Sequence, residues 1–188
     1  MKSCNNFKAL AFAATALTLP ITASAETALP LDGGWQFFAF SAVGAPWDDA
    51  FTFTLGAGET AWLAVTDAFL PGDQFEVFAN GMSLGLTSPP ASEGETVGPD
   101  ADAAFADPLF SSAEAMFGEG SYRITGTLTV SPLVPGGAFL QLSSTSLGGP
   151  AFAPAPEPVA PIPLPAAGFL LIGALGGLSL LARRRLAG

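Results

Sequence analysis

The 188-residue chain predicts an all-β fold, a single β-sandwich domain framed by two export segments. Three observations predict it. Short apolar stretches alternate with Thr, Ser and charged residues at a period of two, as along Phe51-Thr52-Phe53-Thr54-Leu55, which turns one face of a strand inward. Gly, Pro and Asp cut these stretches at close intervals, the punctuation of a domain of many short strands. Asn80-Gly81 stands between two apolar runs, and both residues accept the positive φ of a type I′ turn, which makes it the strongest hairpin signal in the chain.

Taken in order, Gln36 to Phe40 is the first strand. Ala50 to Leu55 follows, with Phe51, Phe53 and Leu55 on its inner face, and Gly56-Ala57-Gly58 turns the chain into Thr60 to Thr66, with Leu63 and Val65 inward. Pro71-Gly72 is a turn before Gln74 to Ala79, and Asn80-Gly81 joins that strand to Met82 to Thr87. The stretch from Ser88 to Gly120 reads as a long crossing segment with one or two short helices, over Ala101 to Ala106 and Ser111 to Phe117. In the second, Ser111 and Glu114 have capping-box spacing. Tyr122, Ile124, Leu128 and Val130 then share one face of a long strand, and Pro135-Gly136-Gly137 turns the chain into the last, Ala138 to Ser144.

The ends of the chain have a different composition. Residues 1–25 read as a secretory signal peptide. Lys2 and Lys8 precede an apolar centre from Ala9 to Leu19, and Ala23-Ser24-Ala25 is a small-x-small cleavage site before Glu26. Cys4 is lost with that segment, so the domain, residues 26–149, must be held by its core without a disulfide. Residues 150–165 form a proline-rich spacer, seven prolines in sixteen residues, which favours polyproline II and at about 3.1 Å per residue would span some 50 Å. Residues 166–182 carry no charge and as a helix would cover about 25 Å, the lower edge of a membrane span. Residues 183–188 begin with Arg183-Arg184-Arg185, which favours the cytoplasmic side and leaves the domain outside.

Between the two export segments the charge is one-sided. All 16 acidic residues lie from Glu26 to Glu157 with Arg123 as their only basic companion, a net −15. Nothing there can neutralise phosphates, so nucleic acid is excluded as a partner. The same span has no His, Cys or Lys. That removes the Ser-His-Asp triad, thiol nucleophiles, Schiff bases, His/Cys zinc sites and the phosphate loop with its lysine. Carboxylates, hydroxyls and aromatics remain. Asp48, Asp49, Asp67, Asp73 and Glu76 are the acids from which a glycoside-hydrolysing pair would have to come, but nothing in the sequence singles one out. Calcium is the better chemical fit. Asp100, Asp102 and Asp107, or Glu93 with Glu95, offer closely spaced oxygens in a loop, and Asp67 and Asp73 flank one turn. None has EF-hand spacing, and solvated loop charges are the plain alternative. Of Trp35, Trp47 and Trp62, only Trp47, beside Pro46 and Asp48-Asp49, reads as exposed and able to stack on a sugar.

Two resemblances extend this reading. The motif Pro161-Ile162-Pro163-Leu164-Pro165-Ala166, the apolar segment and Arg183-Arg184-Arg185 together resemble the VPLPA-CTERM variety of PEP-CTERM sorting signals, with Ile162 where the family usually has Val. The resemblance implies export, a transient inner-membrane stage with the C-terminus cytoplasmic, and processing by an exosortase-type membrane protease. The product would lie at the cell surface, in the envelope or in the extracellular matrix, with a structural or adhesive role linked to exopolysaccharide and biofilm. An ordinary single-span anchor is the other reading of the same residues. Separately, Phe51 to Thr66 and Gly120-Ser121-Tyr122-Arg123-Ile124-Thr125-Gly126 resemble, loosely, a jelly-roll sandwich of the pre-peptidase C-terminal type of secreted domain. The expectation is a non-enzymatic exported protein without a cofactor, Ca²⁺ being the one ion weighed. The alternatives are a calcium- or carbohydrate-binding module and a carboxylate-dependent polysaccharide hydrolase.

Overall fold

The structure, a computed structural model, describes residues 25–92 and 94–156. Nine strands and one helix follow in order: β1 Ala25–Ala28, β2 Gln36–Phe40, β3 Asp49–Leu55, β4 Ala61–Thr66, β5 Gln74–Ala79, β6 Met82–Leu86, α1 Ala101–Ala106, β7 Ser112–Phe117, β8 Gly120–Val130 and β9 Gly136–Ser143. They form a five-stranded sheet, β1-β3-β8-β5-β6, and a four-stranded sheet, β2-β9-β4-β7. The pairing is nested: β2 with β9, β3 with β8, β4 with β7 and β5 with β6, all antiparallel. It is the pattern of one long hairpin rolled up on itself. Its tip is Asn80-Gly81, with φ of 51° and 79°, as the type I′ turn requires.

The inner faces of both sheets make one aromatic core. Phe75 of β5 lies 5.4 Å from Phe38 and 5.5 Å from Phe40 of β2, and Phe53 of β3 lies 5.5 Å from Phe117 of β7, each pair bridging the sheets. The alternation in β3, β4 and β5 holds, with Phe51, Phe53, Leu55, Leu63, Val65, Phe75 and Val77 all buried. In β8 it holds as far as Leu128. Opposite Val130 the register of β5 shifts at Gln74/Phe75, and Val130 turns outward.

Three sequence readings are corrected. Ser111 to Phe117 is a strand, not a helix: β7 pairs with β4 over six residues, because pairing at the edge of β4 outweighs the local helix preference of Ala, Glu and Met. The Ser111 hydroxyl does not cap a helix; it donates to the Ser88 carbonyl and lies 2.5 Å from the Thr87 hydroxyl. Trp47 is buried, not exposed. Its backbone N–H donates to the Gly126 carbonyl (2.9 Å), and its ring stacks 3.9 Å from Phe38 in space that a Cβ on Gly126 would fill.

The third correction concerns the chain ends, which strap the sandwich. β1 adds to β3 in parallel, Leu29 is buried in the core, and Leu31 bridges to Leu142 of the other sheet. At the opposite side the beginning of the proline-rich tract is docked rather than free. The Glu114 N–H donates to the Pro150 carbonyl (2.7 Å), Ala153 and Leu86 exchange two bonds (2.7 and 2.8 Å), and Phe152 packs against the core. Pro150 and Pro154 bracket three residues that keep their backbone N–H groups, and through the Ala151 and Ala153 bridges the strap covers the edge strands β7 and β6, one from each sheet. Ala153 runs antiparallel to β6 and therefore parallel to β5, toward the Asn80-Gly81 end. The signal segment through Ser24 lies outside the described residues, as do Glu93 and everything from Glu157 on, which includes the sorting motif, the apolar segment and the arginines.

Candidate functional site

At the end of the sandwich opposite Asn80-Gly81, β4 hands over to β5 through the loop Asp67 to Asp73, and β8 to β9 through residues 131–135. The two loops face each other across a cleft of about 240 Å³. Its walls are Ala68, Phe69 and Leu70 on one side and Pro132, Leu133 and Pro135 on the other, with Gly136-Gly137 and Asp73 between them. Leu133 is 67% exposed and Leu70 51%, although both are large and apolar. Phe37, 51% exposed on β2, continues the surface, with Phe69 at 6.5 Å and Phe139 at 5.6 Å. Large apolar side chains thus gather at this loop end in place of polar ones.

Phe69 itself has φ of 65°, a left-handed conformation that bulky side chains avoid. Two bonds hold it there: its N–H donates to Gly98 (3.0 Å), and its carbonyl accepts from Val97 (3.1 Å). The loop is closed from within by Asp67. One carboxyl oxygen accepts from the Ala68 N–H (2.7 Å), the other from the N–H groups of Gly72 and Asp73 (3.1 Å each). Asp67 is fully buried. Burial, and then the neighbouring charge of Asp73, push its pKa up to about 7, while the three backbone donors pull the other way. Burial also raises Asp73, with the nearby Ser131 hydroxyl acting in the opposite direction. Strain, shifted carboxyls and exposed aromatics thus coincide in one loop.

Asp67 and Asp73, which flank one turn in the sequence, are brought together, the Asp73 N–H donating to the Asp67 carboxyl. The other predicted oxygen donors are spent separately. Asp100 caps α1 by accepting from the Ala103 N–H (3.0 Å), Asp102 accepts from Trp35 Nε1 (2.8 Å), and Asp107 accepts from the Leu109 N–H (2.9 Å). Among the described residues no three acidic side chains are grouped to hold a metal ion. Of the remaining acids weighed for hydrolysis, Asp49 lies in β3 and Glu76 accepts from the Ser83 hydroxyl (2.7 Å). Glu95 is exposed. Of the cleavage-site residues, Ala25 and Glu26 lie in β1, and Glu26 pairs with Arg123 at 2.9 Å.

The cleft residues Phe69, Leu70 and Leu133 did not stand out in the sequence. The signal that could have found them is apolar side chains inside turns bounded by proline, Phe69-Leu70-Pro71-Gly72 and Pro132-Leu133-Val134-Pro135, where no core position awaits them.

Fold and cleft together describe a β-sandwich domain with a loop-built cleft at one end. No family model matches the chain, and no curated protein does. Among solved structures it is similar to the pre-peptidase C-terminal domain of a collagenase from Bacillus anthracis. The TM-score is 0.41 at 10% identity, over 65% of this chain and 99% of that one.

Proposed function

We propose that this is a non-enzymatic exported protein of the cell surface or extracellular matrix. Its sandwich, jelly-roll in pattern, is carried on a C-terminal sorting segment and makes structural or adhesive contacts through the loop-built cleft. The observation that carries the reading is that Phe69, Leu70 and Leu133 stand exposed around the cleft between the 67–73 and 131–135 loops, where no core position takes them. The nested strand order supports the jelly-roll pattern. Pro161 to Ala166 and Arg183-Arg184-Arg185 support sorting and cutting by an exosortase-type protease.

A carbohydrate-binding module is the second reading, favoured by the exposed rings of Phe37 and Phe69, with exopolysaccharide as the ligand class. Comparing surface retention and matrix binding of wild type with Phe69→Ala/Leu133→Ala tests the cleft. Unchanged binding by a folded variant would remove it as the contact surface. Mass spectrometry of the mature C-terminus tests the tail: an end before Ala166 is expected, and an intact Arg183-Arg184-Arg185 on the surface form would refute processing.

A further inference from the structure

Asn80 is the only asparagine after Asn6, and glycine follows it. Asn-Gly is the pair most open to deamidation, because glycine places no side chain beside the peptide nitrogen that attacks. In that reaction the Gly81 nitrogen loses its proton and bonds to Asn80 Cγ, the Cγ–Nδ2 bond breaks, and ammonia leaves behind a cyclic succinimide. Water then opens the ring at either carbonyl, giving aspartate or isoaspartate, the latter with an extra carbon in the backbone. The hairpin tip is exposed, so water and base reach it. The fold nevertheless commits the carboxamide elsewhere. Asn80 Oδ1 accepts from the Arg123 N–H (2.8 Å), and Nδ2 donates to the Ser121 carbonyl (3.0 Å). The Asn80 N–H also donates to the Arg123 carbonyl (2.9 Å), so the residue is clasped to β8 through backbone and side chain together. For Cγ to meet the Gly81 nitrogen, both side-chain bonds must break.

We propose that Asn80 is a guarded deamidation site: its clasp on β8 keeps the amide intact while the hairpin tip is closed, and opening of the tip commits it to a one-way conversion after which the clasp cannot be remade. What β8 offers sets the direction. It presents one N–H and one carbonyl, which a carboxamide matches with an acceptor and a donor. The carboxylate of the product only accepts, so its second oxygen would face the Ser121 carbonyl unbonded and repelled. Arg123, the one basic residue among those described, is not turned to answer the new charge. Its side chain pairs with Glu26 of β1 (2.9 Å), on the side of β8 away from β5. Isoaspartate does further harm, since its extra backbone carbon does not fit a two-residue type I′ turn. Asp-Gly by itself suits such a turn, so the loss comes from the clasp and not from turn preference. The site is independent of the cleft and of the proposed surface role.

Peptide mass spectrometry of the full chain in detergent, incubated in heavy-oxygen water at mildly alkaline pH, tests the guard. The label enters residue 80 only when a succinimide opens. Folded protein is expected to take it up at least about tenfold more slowly than the same chain unfolded in urea, because conversion waits on opening of the tip. Asn80→Asp then supplies the product directly. Its amide exchange over residues 79–82 should be about three- to tenfold faster than in wild type, the effect of losing about one hydrogen bond. Equal labelling of folded and unfolded chains would overturn the guard. Exchange at the wild-type rate in Asn80→Asp would show that the clasp survives conversion, and would overturn the one-way step. Should that variant not fold, the labelling comparison decides alone.

Discussion

Phe75 touches Phe38, Phe40 and Trp47 at the place where the two sheets meet, and it is fully buried. Phe75→Ala should therefore cost about 3–5 kcal/mol by urea denaturation, because rings from three directions cannot all collapse into the hole. Gly85 is a different kind of residue. It has φ of 119°, and a Cβ there would lie 2.1 Å from the Ala153 carbonyl oxygen. Gly85→Ala should cost about 1–3 kcal/mol and loosen the strap, read as faster exchange of the Ala153 amide. Neither effect can be anticipated from composition, since many of the 22 glycines look alike until their neighbours are placed. Trp47 gives the same lesson from the other side. Its polar neighbours Asp48 and Asp49 argue for solvent, but Gly126 on a distant strand leaves the space that takes its ring.

Among the elements, the C-terminal strap covers edge strands of both sheets with four residues, Pro150 to Ala153. A domain ending at Gly149 should be less stable than one ending at Ala155 by about 3–5 kcal/mol, from three backbone bonds and the Phe152 contact. It should also self-associate in size-exclusion chromatography, since the bared edges of β6 and β7 can pair with another chain. Equal stability and a monomeric truncated form would show that the strap is incidental. Strands β2 to β6, β8 and β9 and helix α1 were legible within a residue or two, because their periodicity and their turns are local signals. β1, β7 and the strap were not. Each is a strand only because a sheet edge lies next to it, and Ser112–Phe117 taken alone has a helical composition.

For the molecule as a whole, acidity and pH act together. Asp67 binds its proton more tightly folded than unfolded, so between about pH 4 and 7 the folded state holds the extra proton and stability falls as pH rises, then levels off. The melting temperature should be higher at about pH 5 than at pH 8, and Asp67→Asn should flatten that slope. Asp32 acts in the opposite sense: hydrogen bonds from Ser144 lower its pKa, so its small contribution is lost on acidification. Because 16 acidic residues face a single arginine between Glu26 and Glu157, salt up to about 0.5 M should raise the melting temperature at pH 8 by screening repulsion; an unchanged value would mean that the charges are too far apart to matter.

The sequence by itself determined the alternating strands, the Asn80-Gly81 hairpin and the residue types left for any chemistry, because these depend on neighbours a few positions apart. Only the tertiary structure decided that Asp67 and Asp73 lie together out of water, that Phe69, Leu70 and Leu133 share a cleft, and that both chain ends strap the sheets. Those arrangements depend on which strands become neighbours when the hairpin rolls up. Side chains more than 60 positions apart, such as Leu70 and Leu133, meet only after that step.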